Sequence, residues 1–366
     1  MRARGGPVKV VFLVLENAKW NGDSLYKKLA ESPRFQPQVL VVVPKNADLS
    51  KNADYQFFKD RKYDFAAISN LDDLRRQNPD MVFYQQPWLL RAGGFYPAQV
   101  SKFALCFYFP YSISTTIELP RIWSECKIFF RTLFRQFVFS SEVSDQFASR
   151  GIRNTVAVGH PKLDAFGQPI GTNPWRDKDK FKIIYAPHHS FDDGSLGWAT
   201  FQWNGREILE YAKAHKETEW IFKPHPFFPR KAVENQIMTR DELCRYFDEW
   251  REIGQVCETG DYFDMFRTAD LLVTDCGSFL TEWLPTGNPC IHLLSDDGRP
   301  KPRNFVQERS AAHYYKVKNL AELFDALEML VRRREDPLGP GRKKAAAGIM
   351  TNSADNIFGE LSEILK

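Results

Sequence analysis

The sequence predicts an α/β protein made of two doubly wound, Rossmann-like halves whose parallel sheets face a central cleft. Three observations carry that expectation. The chain has 366 residues, too many for one compact core and suited to two domains of roughly 150–180 residues each. Short β-rich runs alternate with helical stretches, the pattern of parallel sheets with crossover helices. The segment 161–180 breaks that alternation with Pro161, Pro169, Gly171 and Pro174 amid mixed charge, which is linker composition.

In chain order, the first strand is Val8–Leu15. It follows Met1-Arg-Ala-Arg and has the outline of a secretion signal, but Lys9 interrupts it and Glu16 ends it. No small-residue cleavage site follows, so it reads as a strand. Further strands are expected near 38–43, 80–84, 103–109, 136–140 and 155–158. A helix over Ser24–Ala30 follows the turn Asn21-Gly-Asp, and another occupies part of 117–135. The second half restarts with a strand at 181–185, then 219–223, 270–274 and 289–294, with helices near 204–215, 240–252, 278–284 and 320–334. Residues 353–366 read as a last helix, capped by Ser353 or Asp355, that crosses back to the first domain. The expected division is therefore 1–170, 171–345 and a C-terminal helix within 346–366.

Composition narrows the classes. Thirty Phe, nine Trp and thirteen Tyr exclude disorder over the body of the chain. The net charge is +4, and the stretch 331–345 supplies all of it: Arg332, Arg333, Arg334, Arg342, Lys343 and Lys344 against Glu335 and Asp336. The remainder balances, so a nucleic-acid partner is not expected. The six cysteines are scattered without a CxxC pair, the usage of reduced thiols in a cytoplasmic protein. No apolar run approaches the roughly 20 residues of a membrane-spanning helix.

Three segments of the second half share one design, an apolar strand followed by polar residues. They are Lys182-Ile-Ile-Tyr-Ala-Pro-His188-His189-Ser190, Trp220-Ile-Phe-Lys223-Pro-His225-Pro and Asp270-Leu-Leu-Val-Thr274-Asp275-Cys-Gly277-Ser278. If the strands are parallel neighbours, their ends converge where doubly wound sheets bind ligands. Gly277 permits a tight turn and Ser278 is placed to cap a helix over Phe279–Leu284, whose free N–H groups and dipole suit a phosphate. His225, held between two prolines, can serve as general base or as a cation on phosphoryl charge. A metal set of His188, His225 and Asp275 has no short ligand spacing to support it, and no metal or other cofactor is expected. G-x-S-x-G, P-loop and G-x-G-x-x-G patterns are missing, which removes serine-hydrolase, P-loop and ordinary dinucleotide readings.

At these residues the chain resembles the CDP-glycerol glycerophosphotransferase family, which includes teichoic-acid primases and polymerases and relatives from capsule gene clusters. The resemblance rests on Gly159-His-Pro-Lys-Leu-Asp164, Tyr185-Ala-Pro-His-His, Lys223-Pro-His225-Pro and Thr274-Asp275-Cys-Gly-Ser278, in the family's order. Leu15-Glu-Asn-Ala-Lys-Trp20, Phe83-Tyr-Gln-Gln-Pro-Trp88 and Phe109-Pro-Tyr-Ser112 extend it through the first half. It implies a GT-B architecture and transfer of a polyol phosphate from a CDP-activated donor to a hydroxyl of a glycan or lipid-linked acceptor, with release of CMP. By position, His225 matches the essential histidine of the His-Pro motif. Thr274, Gly277 and Ser278 match the donor-phosphate loop, with Lys223, Asp275, Glu282 and His189 on the same side. Asp164 matches the acidic residue after a Gly-x-Pro motif, although His160 stands where an aromatic is usual.

One departure alters the chemistry. Family polymerases carry a His-Gly motif in the first domain, and this chain has none; Phe109-Pro-Tyr111-Ser112 occupies the region. The base is then His225, His188 or Glu16. Glu16, Asn17, Lys19, Trp20, Trp88, Tyr111 and Asp164 form the expected acceptor side, where Trp20 and Trp88 either stack on a sugar or polyol or belong to the core. Two further readings stay open: a GT-B glycosyltransferase using a nucleotide sugar, and a non-catalytic nucleotide- or glycan-binding member. A peripheral membrane contact is the last expectation. Its candidates are the helix in Arg121–Phe139, with Lys127, Arg131 and Arg135 beside Trp123, Phe130, Phe134 and Phe137, and the basic stretch 331–345. Core packing of those aromatics is the favoured reading of the first, and a solvated linker before the last helix that of the second.

Overall fold

The computed structural model describes residues 6–61, 63–90, 93–113, 120–192, 196–258, 262–295 and 304–366. It folds as two compact units, one running to Gly167 and including Met350–Lys366, the other Gln168–Ile349.

Among the described residues, unit 1 holds seven parallel strands: β1 (Val8–Val14), β2 (Phe35–Val42), β3 (Phe65–Ile68), β4 (Met81–Tyr84), β5 (Leu105–Tyr108), β6 (Arg135–Val138) and β7 (Thr155–Ala157). Their order is β3-β2-β1-β4-β5-β6-β7. The helices are α1 (Asp23–Ala30), α2 (Ala53–Asp60), α3 (Leu71–Gln77), α4 (Pro97–Val100), α5 (Pro120–Thr132) and α6 (Ser141–Ser149). The register sets Phe12 beside Phe83 and Phe83 beside Phe107. With Phe137 they form a stacked row across four strands, centroids 5.0–6.0 Å apart. Each buried ring contributes about 2 kcal/mol by area, and each pair about 1 kcal/mol more.

Unit 2 repeats the winding. Its strands are β8 (Phe181–Ala186), β9 (Thr218–Phe222), β10 (Gln255–Val256), β11 (Leu271–Thr274), β12 (Cys290–Leu293) and β13 (Tyr315–Val317), ordered β10-β9-β8-β11-β12-β13. Its helices are α7 (Phe201–Ala214), α8 (Phe228–Glu234), α9 (Arg240–Ile253), α10 (Phe263–Thr268), α11 (Gly277–Trp283), α12 (Phe305–Ala311), α13 (Leu320–Leu327) and α14 (Gly339–Ala347). The Pro/Gly-rich stretch is not a free tether in this unit. Asp264 accepts the N–H groups of Gly171 and Thr172, and buried Glu219 accepts those of Arg176 and Asp177.

The last helix, α15 (Ser353–Ile364), packs on α1 in unit 1. Its cap is neither Ser353 nor Asp355: the flanking Asn352 makes no side-chain cap. The buried carboxylate of Asp164 accepts the N–H groups of Ser353 (2.7 Å) and Ala354 (2.8 Å) instead, together with the Ser24 hydroxyl. A residue from a distant part of the chain thus satisfies the helix's orphan donors. Gly159, at φ +83°, lets the chain pass so close that a Cβ there would meet Ser353 Oγ at 2.5 Å.

Both membrane candidates change on inspection. The basic i, i+4, i+8 stripe breaks because α5 ends at Thr132, and Arg135 and Phe137 lie on β6. Arg135 is ion-paired with Glu360 of α15, while Phe129, Phe130 and Leu133 are core. In the basic stretch, Arg342 is fully buried, bonding the Gly287 and His313 carbonyls and Asp336. Arg334 lies over the Phe181 ring at 4.0 Å. No helix among the described residues is long and apolar enough to cross a membrane.

Candidate functional site

Where strand order reverses in a doubly wound sheet, the loops leaving the two central strands part and open a crevice at their carboxyl ends. In unit 2 the reversal falls between β8 and β11. Because β9, β8 and β11 are adjacent and parallel, the three polar strand ends leave the same edge side by side.

Three imidazoles gather there. The ring of His189 is 3.9 Å from that of His225 and 4.3 Å from that of His188, and the His188 and His225 rings are 5.0 Å apart. Burial keeps all three neutral: His225 is lowered to about 3, His189 to about 4 and His188 well below the usual value. Neighbouring charge adds to this, from Lys223 at His225 and from Lys231 and Arg230 at His189.

Backbone donors decide what two of these rings present. The N–H of Phe227 donates to His225 Nδ1 at 3.1 Å, and that of Ser190 to His188 Nδ1 at 3.2 Å. A neutral imidazole with Nδ1 as acceptor carries its proton on Nε2. His160 in unit 1 shows the same arrangement completed: its Nδ1 accepts the Lys162 N–H, and its Nε2–H donates to the Pro110 carbonyl at 2.7 Å. The Nε2–H groups of His188 and His225 meet no acceptor among the described residues and are available to one. The cluster is compact enough to hold a metal ion, with ligand atoms within 4.8 Å of one another. A ligating Nε2 must shed its proton, however, and the backbone caps place the proton there, so the donor set as bonded does not fit a metal.

The residues behind the cluster hold it in place. Asp275 is buried, and its two oxygens accept the His188 N–H (2.6 Å), the Thr200 N–H (2.7 Å) and the Thr200 hydroxyl (2.9 Å). Desolvation raises its carboxyl to about 6 against the pull of these bonds. With both oxygens engaged, Asp275 positions the His188 loop, and it is not offered to a ligand or metal. Thr274 likewise joins strands, donating to the Ala186 carbonyl at 2.6 Å. Helix α11 begins at Gly277, earlier than the sequence suggests, with Cys276 rather than Ser278 at its N-cap. Ser278 lies in the first turn, its Oγ 3.2 Å from Cys276 Sγ. Gly277 is required by Trp198, whose ring a Cβ would approach to 2.7 Å; the same ring lies 5.1 Å from His188. Buried Lys223 has its Nζ 5.0 Å from the centre of the Tyr262 ring, and the Tyr262 hydroxyl donates to buried Glu282. Trp198, Thr200 and Tyr262 were not legible as site residues, since nothing in their local sequence marks what they touch.

In unit 1 the reversal lies between β1 and β4, and the expected acceptor-side residues separate there into two groups. Glu16, Lys19, Trp88 and Tyr111 come together: Lys19 is ion-paired with Glu16, and its Nζ lies 5.3 Å and 5.5 Å from the Trp88 and Tyr111 ring centres. Gln86, which the sequence did not single out, reaches Glu16 at 3.4 Å. The remaining three are structural. Trp20 packs edge-on against Phe12, Phe58 and Tyr63, and its indole N–H donates to the Tyr63 hydroxyl, so its face is spent in the core. Asn17 is fastened to α2, its N–H donating to Asp54 and its side chain to the Ala53 carbonyl. Asp164 seats α15.

Two parallel sheets of this winding with full-length structural counterparts define the GT-B fold. No protein-family model and no curated protein matches the sequence. Among solved structures, S. aureus MnaA in complex with UDP aligns at TM-score 0.65 and 13% identity, covering 98% of this chain and 97% of that one. The UDP-GlcNAc 2-epimerase from Neisseria meningitidis bound to UDP-GlcNAc aligns at TM-score 0.64 and 14% identity, covering 98% and 100%. The wall teichoic acid polymerase TagF, soaked with CDPG, aligns at TM-score 0.57 and 11% identity, covering 98% and 89%. At these identities the likeness is one of fold.

Proposed function

We propose that this protein is a GT-B transferase that moves a glycerol- or ribitol-phosphate from a CDP-activated donor to a hydroxyl of a cell-surface glycan or lipid-linked acceptor. The observation that carries the reading is the pair of capped imidazoles, His188 and His225, with free Nε2–H groups beside Lys223 and the start of α11 at the switch point of unit 2. Such donors suit the oxygens of a diphosphate, and they strengthen as charge builds on the leaving phosphate. In the reaction the acceptor oxygen attacks the β-phosphorus, the bond to the bridging oxygen breaks, and CMP departs with that electron pair. The hydroxyl's proton passes to a base; with His188 and His225 fixed as donors, Glu16 is the candidate left of the three, its carboxylate ion-paired with Lys19 and bonded by Gln86. The work is done on the cytoplasmic side, where the CDP-activated donor is met.

A donor panel tests this, read first as thermal stabilisation and then as CMP release. CDP-glycerol or CDP-ribitol should stabilise the protein and release CMP with acceptor. His225→Ala should lower turnover by on the order of 10²–10³ while leaving the fold intact; unchanged turnover would overturn the assignment. The structural likeness to UDP-GlcNAc 2-epimerases supports a second reading, an enzyme of nucleotide-sugar chemistry in surface polysaccharide synthesis. Turnover of UDP-GlcNAc with no response to CDP-polyols would select it. Binding without turnover across a broad acceptor panel would mark a non-catalytic member.

A further inference from the structure

The three clustered imidazoles are not equivalent. His188 and His225 have each committed Nδ1 to a backbone N–H, and His188 Nδ1 also lies 2.7 Å from the Ser190 hydroxyl. Adding a proton to either ring would place it on that Nδ1, facing the N–H that now donates, so charging these rings breaks their anchorage. His189 has no such cap. Its Nδ1 is buried and bonds to no group among the described residues. It is therefore the ring of the cluster that can gain a proton without giving up a hydrogen bond.

The protein groups around His189 oppose a charge on it. On one side are the neutral rings of His188 and His225, with Lys223 beside the latter; on the other, Arg230 and Lys231 of α8. Asp192, from the loop after His189, favours the charged form, but it shares Lys231 at 3.7 Å, and Glu234 pairs with both Arg230 and Lys231. A multiply charged anion held on the Nε2–H groups of His188 and His225 reverses that balance, because it sets negative charge beside the uncapped ring.

We infer that His189 is the proton-accepting imidazole of this cluster, so that capture of a nucleoside diphosphate ester by the His188 and His225 N–H groups is coupled to protonation of His189. The inference rests on the donor-site reading above. By linkage, affinity then rises as pH falls, by up to about tenfold per unit where one full proton is taken up. The charged His189 adds a cation to the diphosphate and is placed to steady the departing nucleoside monophosphate.

The test uses CDP-glycerol, CDP-choline and UDP-GlcNAc, whose diphosphate diesters do not titrate near neutrality, so any proton taken up belongs to the protein. Isothermal titration calorimetry in buffers of different ionisation enthalpy, between about pH 6 and about pH 8, brackets the ordinary histidine range. Uptake approaching one proton per bound diester is expected, with uptake and the pH slope both abolished in His189→Asn. Binding without uptake, or uptake that persists in His189→Asn, overturns the inference and leaves the donor site standing. Failure of every diester to bind removes the donor-site reading and the inference with it. Long-range 1H–15N spectra of the unliganded wild type provide a check that needs no variant. Nε2–H tautomers are expected for His160, His188 and His225, and an Nδ1–H signal from His188 or His225 overturns the inference.

Discussion

Asp164 in unit 1 and Asp275 in unit 2 do the same hydrogen-bonding job for different ends. Each is a buried aspartate accepting two backbone N–H groups and one hydroxyl, and burial raises the carboxyl of each. Asp164 spends this on architecture, seating α15, while Asp275 spends it on the loop that carries His188. The histidines repeat the contrast. His160 closes its Nε2–H onto a carbonyl within unit 1, whereas His188 and His225 keep theirs open. The same local chemistry therefore serves structure where its last valence is satisfied internally, and serves a site where it is left unsatisfied.

The largest way to break the comparison is Asp275→Ala. It leaves three buried donors without an acceptor and should cost about 3–5 kcal/mol, measured by urea unfolding. The sign of the pH dependence follows from the raised carboxyl. The stability Asp275 contributes is full below the ordinary aspartate range and is lost as pH rises through about 6. The loss amounts to about 3 kcal/mol, and Asp275→Asn should flatten that part of the stability–pH curve.

Trp20→Ala should cost about 3 kcal/mol because it opens a core cavity, whereas Trp88→Ala should cost under about 0.5 kcal/mol and act on acceptor KM. Equal stability losses for the two would erase the distinction drawn between them. Asp164→Ala should cost about 2 kcal/mol. Its effect should concentrate in α15, read as faster hydrogen exchange over residues 353–364, with the response to CDP-glycerol retained. Gly277→Ala should cost about 1–2 kcal/mol, since the Trp198 ring must give way. It should still reduce turnover, because the same ring packs on His188.

Much of this organisation was legible in the sequence. All ten strands read from apolar runs are present, and the three that were missed, β3, β10 and β13, are each the outermost strand on its side of a sheet. Edge strands are short and half-wetted: Tyr315–Val317 is broken by Lys316, Gln255–Val256 is only two residues long, and Phe65–Ile68, though apolar, is four residues with two alanines in the middle, too weak a β signal to stand out. The strand-end histidines were visible because prolines and strand boundaries frame them. Their protonation was not, since it is fixed by the N–H of Phe227 and of Ser190, and no residue type announces that. Asp164 was read as an acceptor-side residue, and Trp20 was left open between sugar stacking and the core, for one reason. A polar or aromatic residue at a strand end has the same sequence signature whether it faces solvent or a distant helix.

The seat of α15 has a consequence for how the chain comes off the ribosome. The aspartate that caps this helix is made before the whole of residues 168–349, and the N–H groups it receives come after them. Until then Asp164 is a carboxylate with empty acceptor sites, at the foot of a face on α1 that still lacks its cover. The first unit to be synthesised is thus the last to be completed, and a nascent chain stalled within unit 2 exposes an apolar strip that awaits Ile357 and Leu361.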